Sequence, residues 1–297
     1  MTLTLLPVDR ITKADKEHFR QTYFNPHRPV IITDFCHDWP AYRNWSFGQF
    51  KARAGHLTVD LYNNKPADPD KSTMFVDERM NFGDYLDRIA SNQHVELRMF
   101  LFNIFSRIPE LKKDIRRPDL VPGFAMNLPF MFYGGAGSVV HLHYDIDLSH
   151  VFLTQFVGRK RVVLFSPDYT PLLYRLPFSV VTYTNVNQPD YETYPALRYV
   201  RGYECTLDYG ETLYMPAGYW HYMEYLDGGY ALALRVLNES WLKRLQGAWN
   251  LFGAMRIDNF MKKYVTDPWF AYKHRQAFAN ADRAMRSLTR QTALTAT

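Results

Sequence analysis

The heptapeptide HLHYDID (141–147) sets His141, His143, Asp145 and Asp147 at alternate positions, spaced by Leu142, Tyr144 and Ile146. On a β-strand alternate side chains share one face. The stretch therefore aims two imidazoles and two carboxylates the same way, more donors than one ion needs. A second segment, GETLYMPAGYWH (210–221), ends in His221 just after a Pro-Ala-Gly turn. Its proline fixes one dihedral and its glycine admits an unusual one, so a histidine opening the next strand can face a barrel interior. Two imidazole nitrogens and one carboxylate leave open positions on Fe(II), the arrangement of non-haem iron oxygenases. His143, Asp145 and His221 make one such set. His150 and His56 have no partner at metal-ligand spacing and read as hydrogen-bonded core residues.

The elements that must position these groups are mostly strands. From Phe124 to Val236 short β-like runs follow one another: FMFY (130–133), SVVHLHYD (138–145), HVFLTQFV (150–157), RKRVVLFS (159–166), ETLYMP (211–216), WHYMEYL (220–226) and YALALRVL (230–237). Turn residues separate them, the pattern of a sandwich or barrel. Upstream, helical stretches at Thr12 to Phe24, Met80 to Ile89 and Ile108 to Ile115 flank the buried-strand run RPVIIT (28–33) and the alternating ELRMFLFNIF (96–105). Trp39, Trp45, Tyr183 and Tyr191 sit in aromatic loops suited to lining a peptide groove or to packing. After Glu239 the period changes: Trp241, Leu245, Ala248, Phe252 and Met255 recur at three- and four-residue steps. Ala271 to Leu288 reads as another helix. The expected division is a β-rich domain over 1–238 and a helical region over 239–297 that pairs two copies into a homodimer.

With 47% hydrophobic and 16% aromatic residues in 297, the chain can bury a large core and is not disordered. A net charge of +5, with no basic run longer than Arg159-Lys160-Arg161, makes nucleic acid an unlikely partner. Two cysteines, Cys36 and Cys205, supply neither a disulfide framework nor a thiolate zinc site. They suit a reducing, cytoplasmic setting. The start, MTLTLLPVDRITKADKEHF, shows no signal-peptide pattern. The longest uncharged stretch, 120–140, is broken by two prolines and a Gly-Gly-Ala-Gly run, which argues against a membrane span.

HYD (143–145), GRKRVVLFSP (158–167) and PAGYWH (216–221), together with RPVIITDFCHDWPAYRNWS (28–46), resemble the JmjC-type cupin family of Fe(II)/2-oxoglutarate-dependent oxygenases, in the branch of asparaginyl and other protein hydroxylases. The resemblance spans roughly residues 8 to 238. It implies a double-stranded β-helix, or jelly-roll barrel, with N-terminal α/β elements and C-terminal helices. It also implies Fe(II) held by His143, Asp145 and His221, with Lys160 on the distal carboxylate of 2-oxoglutarate. The reaction would hydroxylate a protein or peptide side chain, or a small molecule, and release succinate and CO2. A dicarboxylate that chelates a metal at one end leaves a charge in a dry barrel, and a buried ammonium is its natural partner. Alternation points Arg159 and Arg161 outward and Lys160 inward.

Ser149 stands where the family carries an asparagine, and a small insertion or bulge is expected around Leu148 to His150. Arg98 stands nearest to the family's co-substrate tyrosine, and Arg235 replaces an asparagine near the metal. Both arginines and Ser149 are candidate contacts for 2-oxoglutarate or an acidic substrate. A competing pattern is the general metal cupin, with Gly135, His141, His143, Asp147, Gly210, Pro216, Gly218 and His221. It would ligate His141, His143, Asp147 and His221 and give a dioxygenase or isomerase without 2-oxoglutarate. A further alternative is a cupin scaffold that binds without catalysing.

Overall fold

In the computed structural model, residues 2–65, 76–99 and 102–295 are described. The strands are β1 (Thr4–Pro7), β2 (Asp9–Ile11), β3 (Val30–Ile32), β4 (Thr58–Tyr62), β5 (Glu78–Asn81), β6 (Arg98–Met99) and β7 (Phe130–Gly134). They continue as β8 (Val139–His143), β9 (His150–Val157), β10 (Lys160–Phe165), β11 (Arg201–Leu207), β12 (Thr212–Met215), β13 (Trp220–Tyr225) and β14 (Gly229–Val236). One sheet runs β1-β11-β10-β13-β8, the other β2-β3-β12-β9-β14-β7-β6-β4-β5. Two mainly antiparallel sheets facing each other form the jelly-roll barrel, with the N-terminal elements extending the larger sheet.

β9 lies at the centre of the larger sheet and is buried over all but its last residue. Its uninterrupted apolar character reflects cover on both sides. Leu153, Val151, Val162, Leu164, Leu213 and Ala231 from both sheets fill the space between them. A second core lies behind the larger sheet, where Phe19, Phe24, Trp39, Trp45, Phe50 and Tyr85 of the N-terminal elements pack. Trp39 and Trp45 are thus core residues and line no groove. Tyr183 alone of the four loop aromatics is an exposed large hydrophobic.

Several expected boundaries move. The segment Thr12 to Phe24 begins at Asp15, which caps Lys16–Phe19, and continues as a π-turn through Arg20–Phe24. The helix expected from Met80 starts at Phe82, because Met80 still pairs with Val59 in the β4–β5 ladder. Residues Pro109–Asp114 form a 3-10 turn. Of the alternating 96–105 run, residues 100 and 101 lie outside the described residues. β8 stops at His143, two residues short of the expected end. His56 is exposed and is no core residue, whereas His150 is buried with Nδ1 2.9 Å from the Tyr214 hydroxyl.

After β14 the chain forms Trp241–Trp249, a π-turn Asn250–Ala254 and Met255–Tyr264, then folds back as Thr266–Thr295. The long helix packs on its own chain. Ala277 and Ala281 join Leu172, Leu173, Leu197 and Trp220 in one cluster, and the Phe278 ring packs at a tilt with its centroid 4.9 Å from that of Tyr174. Asp258, buried, accepts from Trp269 Nε1 at 2.8 Å and Lys273 Nζ at 2.9 Å, with Lys262 Nζ at 2.7 Å. This cluster ties the last helix to the one before it. Among the described residues no helix is long and apolar enough to cross a membrane.

Replacing Asp258 with alanine removes an acceptor shared by three buried donors. Breaking such a buried pair costs about 3–5 kcal/mol. The variant should unfold at a clearly lower urea midpoint, while a surface control, Asp87→Ala, stays within about 0.5 kcal/mol of the parent.

Candidate metal centre

β8 and β13 run antiparallel with His143 directly opposite His221, and a register shift follows His221. Direct cross-strand neighbours bring their side chains together on one face, and the two imidazole centroids lie 4.2 Å apart. His143 Nδ1 sits 2.8 Å from its neighbour His141's carbonyl oxygen, and His221 Nδ1 sits 3.1 Å from that of Tyr219. A carbonyl only accepts, so each ring carries its proton on Nδ1 and leaves the Nε2 lone pair free. Burial, then the adjacent His221, push the His143 pKa down to about 3. The ring is neutral at physiological pH, as a ligand must be.

Asp145 does not share the strand with the histidines. The alternation that aims four donors one way ends with β8, and Asp145 lies in the turn that follows, closed by Leu148 N–H donating to Asp145 O at 3.1 Å. Leu148 takes the left-handed conformation, φ 52°. The turn brings the carboxylate back beside the two rings. One donor atom from each of His143, Asp145 and His221 lies within 4.8 Å of the others. One ion can bridge them, and two imidazoles with one carboxylate suit Fe(II).

The outer pair is engaged elsewhere. His141 Nε2 lies 2.5 Å from the carbonyl of Asn64. Asp147 Oδ1 accepts from Arg235 Nη1 at 2.9 Å, and its Oδ2 accepts from the Ser149 hydroxyl at 2.9 Å. The general-cupin ligand set is therefore not the one brought together.

Arg235 reaches from β14 across this turn. Its Nη1 also donates to Ser149 Oγ at 2.9 Å, and its Nη2 to Asp145 Oδ1 at 3.2 Å. Burial alone would raise the Asp145 pKa. Arg235 first, then the two histidines, outweigh burial and hold the carboxyl below its ordinary value. Through this engagement Arg235 braces a metal-capable carboxylate, whatever contact it makes with a co-substrate.

Lys160 is 1% exposed. Its neighbours Arg159 and Arg161 face outward, to Asp227 and to Glu204 and Glu224. Lys160 pairs across the ladder with Tyr225, and its ammonium lies 4.2 Å from that ring's centroid. No carboxylate among the described residues forms a salt bridge with it, and burial alone pulls its pKa down to about 7. Tyr225 has room to sit there because a side chain at Gly134 would meet its ring at 2.6 Å. Arg98, also buried, donates Nε to the Val139 carbonyl at 2.9 Å, and its charge is felt at both His141 and His143.

Asp145, Ser149, Met215, Tyr219 and His221 line a cleft with about 10 Å³ of free volume. A larger hollow of about 440 Å³, bounded by Asn63, Arg88, His94 and Glu96, contains none of these residues. Sequence reasoning missed two contributors, Asn64 and Tyr225. Asn64 is the more telling: its side chain bonds Gly137 O and Val139 N at 2.8 and 2.7 Å and seals part of the β8 edge. A lone asparagine beyond a strand carries no signal of this kind.

The chain matches the family described as a cupin-like domain over residues 16–241. It is 30% identical over 238 residues to lysine-specific demethylase 8 of Danio rerio, covering 76% of this chain and 57% of that protein. Lysine-specific demethylase JMJ30 of Arabidopsis thaliana is 29% identical over 253 residues, 80% of this chain and 57% of the relative. tRNA wybutosine-synthesizing protein 5 of Homo sapiens is 27% identical over 234 residues, 73% of each. The chain thus spans little more than half the length of the demethylase relatives. A matched domain over most of the chain, a jelly-roll barrel and a convergent His-Asp-His donor set agree: the chain belongs to the cupin-like, JmjC-type family of Fe(II)- and 2-oxoglutarate-dependent oxygenases.

Proposed function

We propose that this chain is an oxygenase that hydroxylates a protein or peptide side chain, with a small molecule as the second substrate class. The observation that carries the reading is the convergence of His143, Asp145 and His221 on one point inside the barrel. Two imidazoles and a carboxylate held ionised by Arg235 would hold Fe(II), which when bound supplies the oxidative chemistry that couples 2-oxoglutarate decarboxylation to substrate hydroxylation. Lys160 would take the distal carboxylate of the co-substrate. It is buried against an aromatic ring with no ion pair among the described residues, and a dicarboxylate would provide a counter-charge. Ser149 and Arg98 lie close enough to the ligand turn and to His143 to help orient that molecule. Partial burial in the barrel strengthens each of these charge interactions relative to open water. The relatives' names point to lysine demethylation and to tRNA modification, so histone-type peptides and tRNA belong in any substrate screen beside unmodified peptides.

The exposed face of the helices at 241–264 supports a homodimer. Trp241, Leu242, Leu245, Trp249, Phe252, Phe260 and Tyr264 are each 56–67% exposed. At roughly 100 Å² apiece they approach the about 800 Å² per partner of a stable interface. A two-fold axis would pack this helix against its own copy. Trp269 and Phe278, expected in the same stripe, pack instead on their own chain.

Asp145→Ala should abolish tight Fe(II) binding and succinate formation, whereas His141→Ala keeps both. The reverse pattern, read by metal titration and succinate assay, hands the site to the general-cupin set. Lys160→Met should weaken 2-oxoglutarate by at least about 100-fold, the scale of about 3–5 kcal/mol for an unpaired buried charge, while leaving metal affinity intact. An unchanged requirement reassigns the contact to Arg98 or Arg235.

The same lysine sets a pH dependence. Its folded-state pKa is depressed to about 7, so below that pH the ammonium is present. Above it, binding a dianion must take up a proton. The Kd for 2-oxoglutarate should therefore rise as pH increases past about 7, by up to about tenfold per unit, in calorimetry of the parent but not of Lys160→Met. Multi-angle light scattering at micromolar concentration should give twice the 35.0 kDa monomer mass. A monomer for the parent would refute the assembly.

A further inference from the structure

The turn that carries Asp145 lies between two strands and has little ladder of its own: β8 ends at His143 and β9 begins at His150. Its backbone carbonyls must find other partners, and two of them find the C-terminal helical region. Asn250 Nδ2 donates to Ile146 O at 3.2 Å, and Asn238 Nδ2, just before the helix, donates to Leu148 O at 3.4 Å. Between them Asp147 meets the helix itself. A side chain at Gly247 would lie 2.4 Å from Asp147 O and 2.9 Å from its carbonyl carbon, so the helix and the turn touch backbone to backbone. Glycine is the poorest helix former after proline, and its place in the middle of Trp241–Trp249 is explained by this approach. Asn250 opens the π-turn that follows.

On its other side the turn is gripped by Arg235, which binds Asp145, Asp147 and Ser149. We propose that the helix from Trp241 through the π-turn is the outer jaw of a clamp on the Asp145 turn, with Gly247 and Asn250 as positioning residues for the metal ligand. Arg235 sets the charge and direction of the carboxylate. The helix sets the height of the backbone that bears it. The inference rests on the assignment of Asp145 as a metal ligand. It goes further, because it ties the metal site to a helix whose opposite face is the exposed apolar stripe, so that displacement of that helix reaches the carboxylate through three consecutive residues, Ile146, Asp147 and Leu148.

The test is a titration of the full-length apo-protein with Co(II), followed by its visible absorption, in the parent, Gly247→Ala, Asn250→Asp and Asp145→Ala. Urea unfolding of each variant is measured in parallel. The clamp predicts at least a tenfold loss of Co(II) affinity and an altered spectrum in Gly247→Ala and Asn250→Asp at a temperature where both are folded. A merely structural helix would shift the urea midpoint and leave affinity and spectrum unchanged, which would overturn the proposal. Should Gly247→Ala fail to fold, Asn250→Asp decides, since it is isosteric and exchanges the donor to Ile146 O for a charged acceptor that the carbonyl repels. Parent-like Co(II) binding by Asp145→Ala would instead overturn the ligand assignment, and the clamp with it. Loss in Asp145→Ala with full retention in the two helix variants would refute the clamp alone.

Discussion

Asp145 must stay charged inside a barrel, beside two imidazoles that must stay neutral, and the surrounding structure serves that arrangement. Burial alone would drive the carboxyl to protonate and does drive His143 to shed its proton. Arg235 breaks the symmetry by placing one cation on the carboxylate and none on the rings. The backbone carbonyls of His141 and Tyr219 complete it by fixing both imidazole tautomers. The result is that His143 and Asp145 already stand in the protonation states a divalent metal requires.

Lys160 shows the opposite balance. It is a buried cation that makes no ion pair among the described residues, cushioned by the Tyr225 ring. A buried charge in that condition costs stability, and groups perturbed in this way cluster at functional sites. Arg235 and Lys160 thus contrast: the arginine is paired with two carboxylates, and the lysine has no ion pair among the described residues.

Legibility in the sequence followed the range of the interaction. HYD and PAGYWH were readable because each is local, and the inward aim of Lys160 followed from strand alternation between two arginines. The reading of four donors on one face failed because β8 ends at His143, and strand ends depend on what pairs with them. Arg235 was recognised as a candidate, but its pairing with Asp145 and Asp147 was not, since those carboxylates lie 90 and 88 residues away in sequence. Gly247 carried no signal in the sequence, because its reason is the close backbone of Asp147. Periodicity after Glu239 identified helices correctly, yet it could not tell that Phe278 meets Tyr174 while Phe252 remains exposed. Amphipathic spacing marks a face to be covered and is silent on what covers it.

The most direct test is a crystal structure grown anaerobically with Fe(II) and 2-oxoglutarate, read through the iron anomalous signal. The account predicts one iron bound by His143 Nε2, His221 Nε2 and an Asp145 oxygen, with the far carboxylate of 2-oxoglutarate within hydrogen-bond distance of Lys160 Nζ. Iron on His141 or Asp147, or a 2-oxoglutarate carboxylate held by Arg235 with Lys160 unengaged, would contradict it.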